Sequence, residues 1–589
     1  MKKNNFLKFF SYLKKFLIGL LASVGFLTLL TFTLFLFFIS NRDIIVSQPN
    51  KIKGDVILTL DLNQIYRETN YIKWSEPKIN LREIINAIYF AKKDNNVKAL
   101  LAINNNNNMN LTQLKDLRDA IKNFKKSNKS TYLYTDTFGE FNNSTGSYYL
   151  ASIFDEIWIQ PSGYVGLIGL SIIQPYLSDF LKKIGIEFEV FKRENYKSAM
   201  EIFSEPKISK DNEEALNKLL SSMSTQISKE ISDSRNFSFD EIIKIIDNGP
   251  YFSNEAKDIG LVDNLGYKDE FDNRISNEYK NVKRINIEDY SYLIKNNEEI
   301  TSEKTVAIIY ASGQIQMDRH NTGLPGDDII SARHLSKVII NAANNKNIDA
   351  IVLRVDSPGG SPIASDKIWR ATNIIREKNK PFIVSMGNTA ASGGYYISMA
   401  ADKIFAQPTT ITGSIGVLTA KPVIRDMLKD LEINIYSSKF GNNSDLFDIT
   451  KKSNKQKVEL INNYLDKVYY DFINKASIGR NLSIEEVSKV AKGRVWSGSD
   501  AIQKGLVDYY GGLREAIEYT KQTLDMKDNE PIGIIILPKP IDPLEKIVET
   551  LLDGSVFQNV SNTIRLINNV AYELFNFHKN NQSSLNIQF

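Results

Sequence analysis

The chain has 589 residues, more than one ordinary hydrophobic core sustains, so two or more domains are expected. Its 73 basic and 69 acidic residues nearly cancel to a net charge of +4, which leaves no strongly basic surface for nucleic acid. Cysteine is absent, and the three histidines, His320, His334 and His578, form neither an HExxH nor a spaced pair. A disulfide framework and a thiol nucleophile are therefore excluded, and neither a metal nor a cofactor is expected.

Residues 1–15 carry Lys2, Lys3, Lys8, Lys14 and Lys15 and no acid. Residues 16–39 carry no charge at all. At about 1.5 Å per residue that run is long enough to cross a ~30 Å hydrocarbon core as a helix. The lysines put its leading end in the cytoplasm and the bulk of the chain on the far side of a membrane. A cleaved signal peptide is the alternative, but the run is long for one and no A-x-A site follows Ile39. Residues 40–54 read as a polar tether.

From residue 55 onward the sequence repeats itself. Thr145-Gly146-Ser147-Tyr148-Tyr149 matches Ser392-Gly393-Gly394-Tyr395-Tyr396, Gln160-Pro161 matches Gln407-Pro408, and Gly166 and Gly169 match Gly413 and Gly416. These matches share one offset, 247. Both copies close alike, Phe252-Ser253 then Gly260-Leu261-Val262-Asp263 against Trp496-Ser497 then Gly505-Leu506-Val507-Asp508. Strand-like and helix-like runs alternate within each copy: 306–310 strand, 332–344 helix, 350–355 strand, 361–378 helix. That alternation indicates an α/β layered fold. We take 55–295 as the first copy, the polar stretch 296–304 as a linker and 305–530 as the second copy.

The chemistry concentrates in the second copy. A buried strand over 381–386 leads into Ala390-Ala391-Ser392-Gly393-Gly394, followed by an apolar helix-like run over 395–401 and a strand over 403–406. Ser392 thus stands where a strand turns into a helix, a usual position for a nucleophile and equally for a helix N-cap. Upstream, a strand ends in Asp356-Ser357-Pro358-Gly359-Gly360, with Ser361-Pro362 as N-cap and first helical residue. Two glycines there could offer free N–H groups to an oxyanion, or simply make a Gly-rich turn. The first copy has Asn104–Asn108 in place of this motif, Thr145 in place of Ser392 and Leu167 in place of Ser414. Its asparagine run reads as a solvated loop, and this copy reads as unable to act as a hydrolase alone.

DSPGG (356–360), AASGGYY (390–396), TGSIGV (412–417) and, far upstream, YKSA (196–199) together resemble the signal peptide peptidase A (protease IV) family in its long, membrane-anchored form. The resemblance covers roughly residues 55–528. It implies tandem duplicated ClpP/crotonase-like domains, built of repeated ββα units, behind an N-terminal transmembrane helix. It further implies a serine endopeptidase that degrades cleaved signal peptides and other hydrophobic peptides, assembled as a homotetramer. In such a protein the catalytic body faces the periplasmic side of the inner membrane.

A serine nucleophile needs a proton acceptor. None of the histidines sits in a motif. A lysine can serve if burial lowers its pKa by roughly three units. Sequence cannot choose among so many lysines, but the resemblance picks Lys197, after a strand-like run over 187–191 and flanked by Tyr196 and Met200 as possible shields. Ser392 is then the nucleophile and Ser414 the group that orients the lysine, with Gly359 and Gly360 as oxyanion donors. The first copy would bring the base and the second the nucleophile. Rival readings are a membrane-tethered scaffold that has lost catalysis, and a crotonase-type acyl-CoA enzyme, which an extracytoplasmic body disfavours. In the C-terminal extension, 531–589, residues 532–537 read as a strand, 544–552 and 560–574 as helices, and 579–589 as disordered.

Overall fold

The computed structural model describes residues 54–64, 68, 79–105, 109–297, 302–318, 329–527 and 530–538, with scattered positions between 19 and 33. The chain falls into two units, Met1–Lys53 and Gly54–Phe589. In the first, the described positions are helical, and the Thr31 and Thr33 hydroxyls donate back to the carbonyls of Leu27 and Leu29. Among the described residues no helix is long and apolar enough to cross a membrane. The expected span over 16–39 lies largely outside them, as do the tether before Gly54, His320, His578, and the extension beyond residue 538 with its expected helices and tail.

The larger unit is a mixed α/β body with two parallel sheets, one per copy. The first sheet runs in the order Asn264–Leu265, Glu156–Ile159, Ser130–Thr135, Val97–Ile103, Val56–Asp61, Lys283–Asn286. The second has the corresponding order through Tyr509–Tyr510, Lys403–Ala406, Phe382–Ala391, Ala350–Ser357, Thr305–Ser312 and Gly533–Leu537. The second sheet thus extends past residue 530. Strands buried on both faces explain their unbroken apolar runs, such as the fully buried Ile351, Val352 and Leu353.

Paired details mark the duplication. Helices Lys210–Arg235 and Lys455–Arg480 each have 26 residues and end on a left-handed asparagine, Asn236 and Asn481. Arg235 pairs with Asp263 at 2.8 Å, and Arg480 with Asp508 at 2.8 Å. The buried Tyr148 and Tyr395 hydroxyls donate to the carbonyls of Leu261 (2.7 Å) and Leu506 (3.0 Å).

Two of the contacts between the copies are extensive. The first is a two-stranded antiparallel ribbon, Glu187–Lys192 from the first copy on Leu418–Val423 from the second. The second is polar and buried. Arg354, on the central strand Ala350–Ser357, donates to Glu68 at 2.7 Å and lies 3.4 Å from Asp116 on helix Leu111–Lys125. The Gln407 amide donates to the other Asp116 oxygen at 2.6 Å. Burial pushes the Asp116 carboxyl up to about 7 against the pull of Arg354. Removing one member of such a group strands the others without a partner. Arg354→Ala is expected to cost about 3 kcal/mol in urea unfolding at pH 7, and Arg354→Met measurably less, because it refills the volume.

Candidate active site

The strand expected over 381–386 runs on to Ala391, so Ser392 follows directly on its last residue and precedes helix Gly393–Ser398. The change of direction forces Ser392 to φ 53°, ψ −116°, a conformation that costs energy in a residue with a β-carbon. The Ser392 N–H donates to the Gly413 carbonyl at 2.8 Å. Its side chain makes no capping hydrogen bond, which removes the N-cap reading.

The Ser392 hydroxyl instead meets Lys197. Lys197 Nζ lies 3.0 Å from Ser392 Oγ, 2.9 Å from Ser414 Oγ and 2.9 Å from the Ser414 carbonyl. The two residues are 195 positions apart in one chain. Lys197 gets there by the ribbon between the copies: after Glu187–Lys192 pairs with Leu418–Val423, the Arg193 N–H donates to the Val417 carbonyl at 2.9 Å and the Tyr196 N–H to the Lys492 carbonyl at 3.2 Å.

Lys197 is 7% exposed. Its burial comes from the second copy. A β-carbon on Gly493 would fall 2.7 Å from the Lys197 nitrogen, and one on Gly416 would fall 3.3 Å from its Cδ, so bare backbone packs along the lysine stem. The neighbours expected from sequence, Tyr196 and Met200, are only half-buried. Desolvation pulls the Lys197 amine down to about 7 from 10.5, with no charged neighbour contributing. Near neutral pH a large share of it is therefore uncharged.

The glycine pair lies beside the nucleophile, with one change from expectation. The Gly359 N–H turns to Ser357 Oγ at 3.2 Å. The Gly359 carbonyl and Ser361 N–H bond to Ile315, which leaves the intervening Gly360 N–H facing the other way. A β-carbon on Gly393 would fall 3.2 Å from the Gly360 nitrogen, so these two amides sit side by side. Neither has an acceptor among the described residues. The unspent amides beside Ser392 are thus those of Gly360 and Gly393, not the expected pair Gly359 and Gly360.

Ser414 (φ 51°) is held by its N–H to the Arg494 carbonyl at 2.7 Å. His334 is exposed on helix Ala332–Asn344. In the first copy the Thr145 hydroxyl donates to the Gly169 carbonyl at 2.8 Å, and Leu167 is fully buried where the second copy has Ser414. Asn104 is 1% exposed and the Asn105 amide bonds Asp136 at 2.7 Å, so the start of the asparagine run is a built turn, not the solvated loop expected. Residues 106–108 lie outside the described residues. Among the described residues no cluster of His, Asp and Glu could hold a metal ion.

Comparison with known proteins finds relatives among serine peptidases. The model of Peptidase family S49 matches residues 123–283 and 374–527, one segment in each copy. The chain is 32% identical to Serine protease SPPA, chloroplastic, of Arabidopsis thaliana, over 77% of this chain and 67% of that protein. It is 29% identical to Protease 4 of Haemophilus influenzae, over 85% and 84%, and 31% identical to Protease 4 of Salmonella typhi, over 76% and 72%. A family match spread over both copies, together with relatives aligned along most of the chain, identifies it as a member of peptidase family S49 and a serine peptidase.

Proposed function

We propose that this protein is a membrane-anchored endopeptidase with a Ser392–Lys197 dyad, degrading cleaved signal peptides and other hydrophobic peptides. The observation that carries the reading is the buried Lys197 amine 3.0 Å from the Ser392 hydroxyl, beside two unspent amides. In this mechanism neutral Lys197 takes the hydroxyl proton as Ser392 Oγ attacks the scissile carbonyl. The Gly360 and Gly393 N–H groups receive the oxyanion. The lysine ammonium then protonates the leaving amine, and water, deprotonated by the same amine, releases the acyl group. Ser414 aims the amine throughout.

The anchor is residues 16–39, with 1–15 in the cytoplasm and the body on the periplasmic side, supported by the lysine asymmetry. In the body, two ClpP/crotonase-like copies, 55–295 and 305–530, supply base and nucleophile respectively. The test is a fluorophosphonate adduct on Ser392, together with the pH dependence of kcat/KM on a peptide ester. Activity rises with pH through an acid limb near 7, where Lys197 loses its proton. An adduct elsewhere, or a limb near 10, overturns the dyad.

The homotetramer has support in the repeat itself. Within the chain, Glu187–Lys192 pairs with Leu418–Val423. By the repeat offset of 247, the counterparts of these strands are 434–439 and 171–176, and neither pairs with a strand among the described residues. Both expose apolar side chains, Ile173 and Tyr436 each at 92%. Pairing 434–439 of one chain with 171–176 of the next repeats the internal contact head to tail and closes a ring. Ile173→Asp and Tyr436→Asp are each expected to reduce the assembly to single chains by light scattering, while Ile478→Asp, exposed but outside these strands, does not.

A further inference from the structure

One short segment bears on both halves of the dyad and on Ser414. The Lys492 carbonyl takes the Tyr196 N–H, the Gly493 N–H donates to the Ile415 carbonyl at 2.8 Å, and the Arg494 carbonyl takes the Ser414 N–H. Strand Val495–Ser497 then pairs with Ile411–Gly413, whose last carbonyl holds the Ser392 N–H. Where this segment sits decides where Lys197 meets both serines.

Its side chains reach back to the first copy. The Arg494 guanidinium lies between two rings, 4.9 Å from the Tyr196 centroid and 4.4 Å from that of Trp496. It forms a two-pronged pair with Glu214 on helix Lys210–Arg235, at 2.7 and 2.8 Å. The Tyr196 hydroxyl donates to the same Glu214 oxygen at 2.8 Å. Tyr196 precedes the base in sequence. The Arg494 side chain is 14% exposed and Glu214 52%, so the arginine is largely enclosed and the glutamate closes the group at the surface. A planar guanidinium held by a carboxylate fork and two rings has one orientation available.

We propose that Glu214 and Arg494, with Tyr196 between them, form a clamp between the copies that sets the approach of Lys197 to Ser392 and Ser414. They are positioning residues, acting through the 492–497 segment. An exposed ion pair would add little stability by itself. Here the pair ties the segment that carries Lys197, through Tyr196, to the segment that holds Ser414 directly and Ser392 through Gly413, where displacements near an ångström are costly in rate. A loosened clamp also lets water reach the Lys197 stem, which returns the amine toward its solution pKa. The groups facing that amine are Ser392 and Ser414, and no charged side chain compensates.

This inference rests on the dyad reading, and the experiment separates the two. Glu214→Gln, Arg494→Gln and the double variant are assayed on a peptide ester beside Lys197→Ala, with thermal unfolding of each. The expected result for Glu214→Gln is a roughly tenfold fall in kcat with KM within about twofold. The acid limb moves up by about half a pH unit or more, so that part of the lost rate returns at alkaline pH. The double variant is no worse than the poorer single one. Wild-type kcat and an unmoved limb overturn the clamp, as does a fall in kcat with the limb unmoved. If Arg494→Gln does not fold, Glu214→Gln decides alone by the same two readings. Should Lys197→Ala remain active, the dyad fails and the clamp with it; an inactive Lys197→Ala beside an unaffected Glu214→Gln overturns the clamp only.

Discussion

Lys197→Ala is expected to lower kcat/KM on a peptide ester by about 10³- to 10⁴-fold, equivalent to about 4 to 5.5 kcal/mol of transition-state stabilisation. Without the amine no other base stands at the Ser392 hydroxyl among the described residues, and its neighbour Ser414 cannot accept a proton at neutral pH. Lys197→Arg is no rescue, because a guanidinium stays charged. The same burial that makes Lys197 a base is a cost to folding, and the sign can be worked out. Its folded pKa, about 7, lies below the 10.5 of a free lysine. Between those values the unfolded chain holds more protons than the folded one, so the contribution of this residue to stability rises with pH across that window. Below pH 7 both states are protonated and the full penalty of enclosing an ammonium remains. Lys197→Met removes it. That variant is expected to be inactive and yet more stable at pH 6, by about 2 kcal/mol after the loss of the bonds to Ser414. The advantage narrows as pH is raised from 7 to 10. Urea unfolding at three pH values measures it, and a variant less stable than wild type at pH 6 contradicts the account.

Different parts of this site were legible in the sequence to different degrees. Ser392 and the glycine motif stood out because local order fixes them: an apolar strand, a run of small residues, then a helix. The repeat was legible from one constant offset, and the two sheets follow the same strand order. Lys197 could be reached only through the resemblance, since a lysine becomes a base through what packs on it, and its cover comes from Gly416 and Gly493, more than two hundred positions away. The oxyanion pair shifted by one partner because amide direction depends on Ile315, which bonds the backbone on both sides of Gly360. Asn104 was misread as solvated because composition cannot register a turn tied down by Asp136. Gly493 carried one faint signal, its match to Gly249 ahead of the closing strand in the first copy.

Gly493→Ala is expected to reduce kcat/KM by about 10²-fold or more, although residue 493 supplies no group to the chemistry. Two effects add. The residue sits at φ +75°, where a β-carbon costs about 1–2 kcal/mol. That carbon would also fall 2.6 to 2.8 Å from Lys197 N, Cα and Cβ, and backbone atoms cannot rotate away as a side-chain tip can. Either the 492–494 segment retreats, carrying the Arg494 carbonyl that holds Ser414, or Lys197 does. Both movements separate the amine from the hydroxyls. Gly505→Ala is the matched control: at φ +72° it bears the same backbone strain, but its β-carbon would meet only Leu482 side-chain atoms, the nearest at 3.4 Å. Gly505→Ala is expected to lose only the stability that the backbone strain costs and Gly493→Ala somewhat more in thermal unfolding, and only Gly493→Ala to lose rate. Equal rates in the two would mean that the approach of bare backbone to the lysine stem has no part in placing the base.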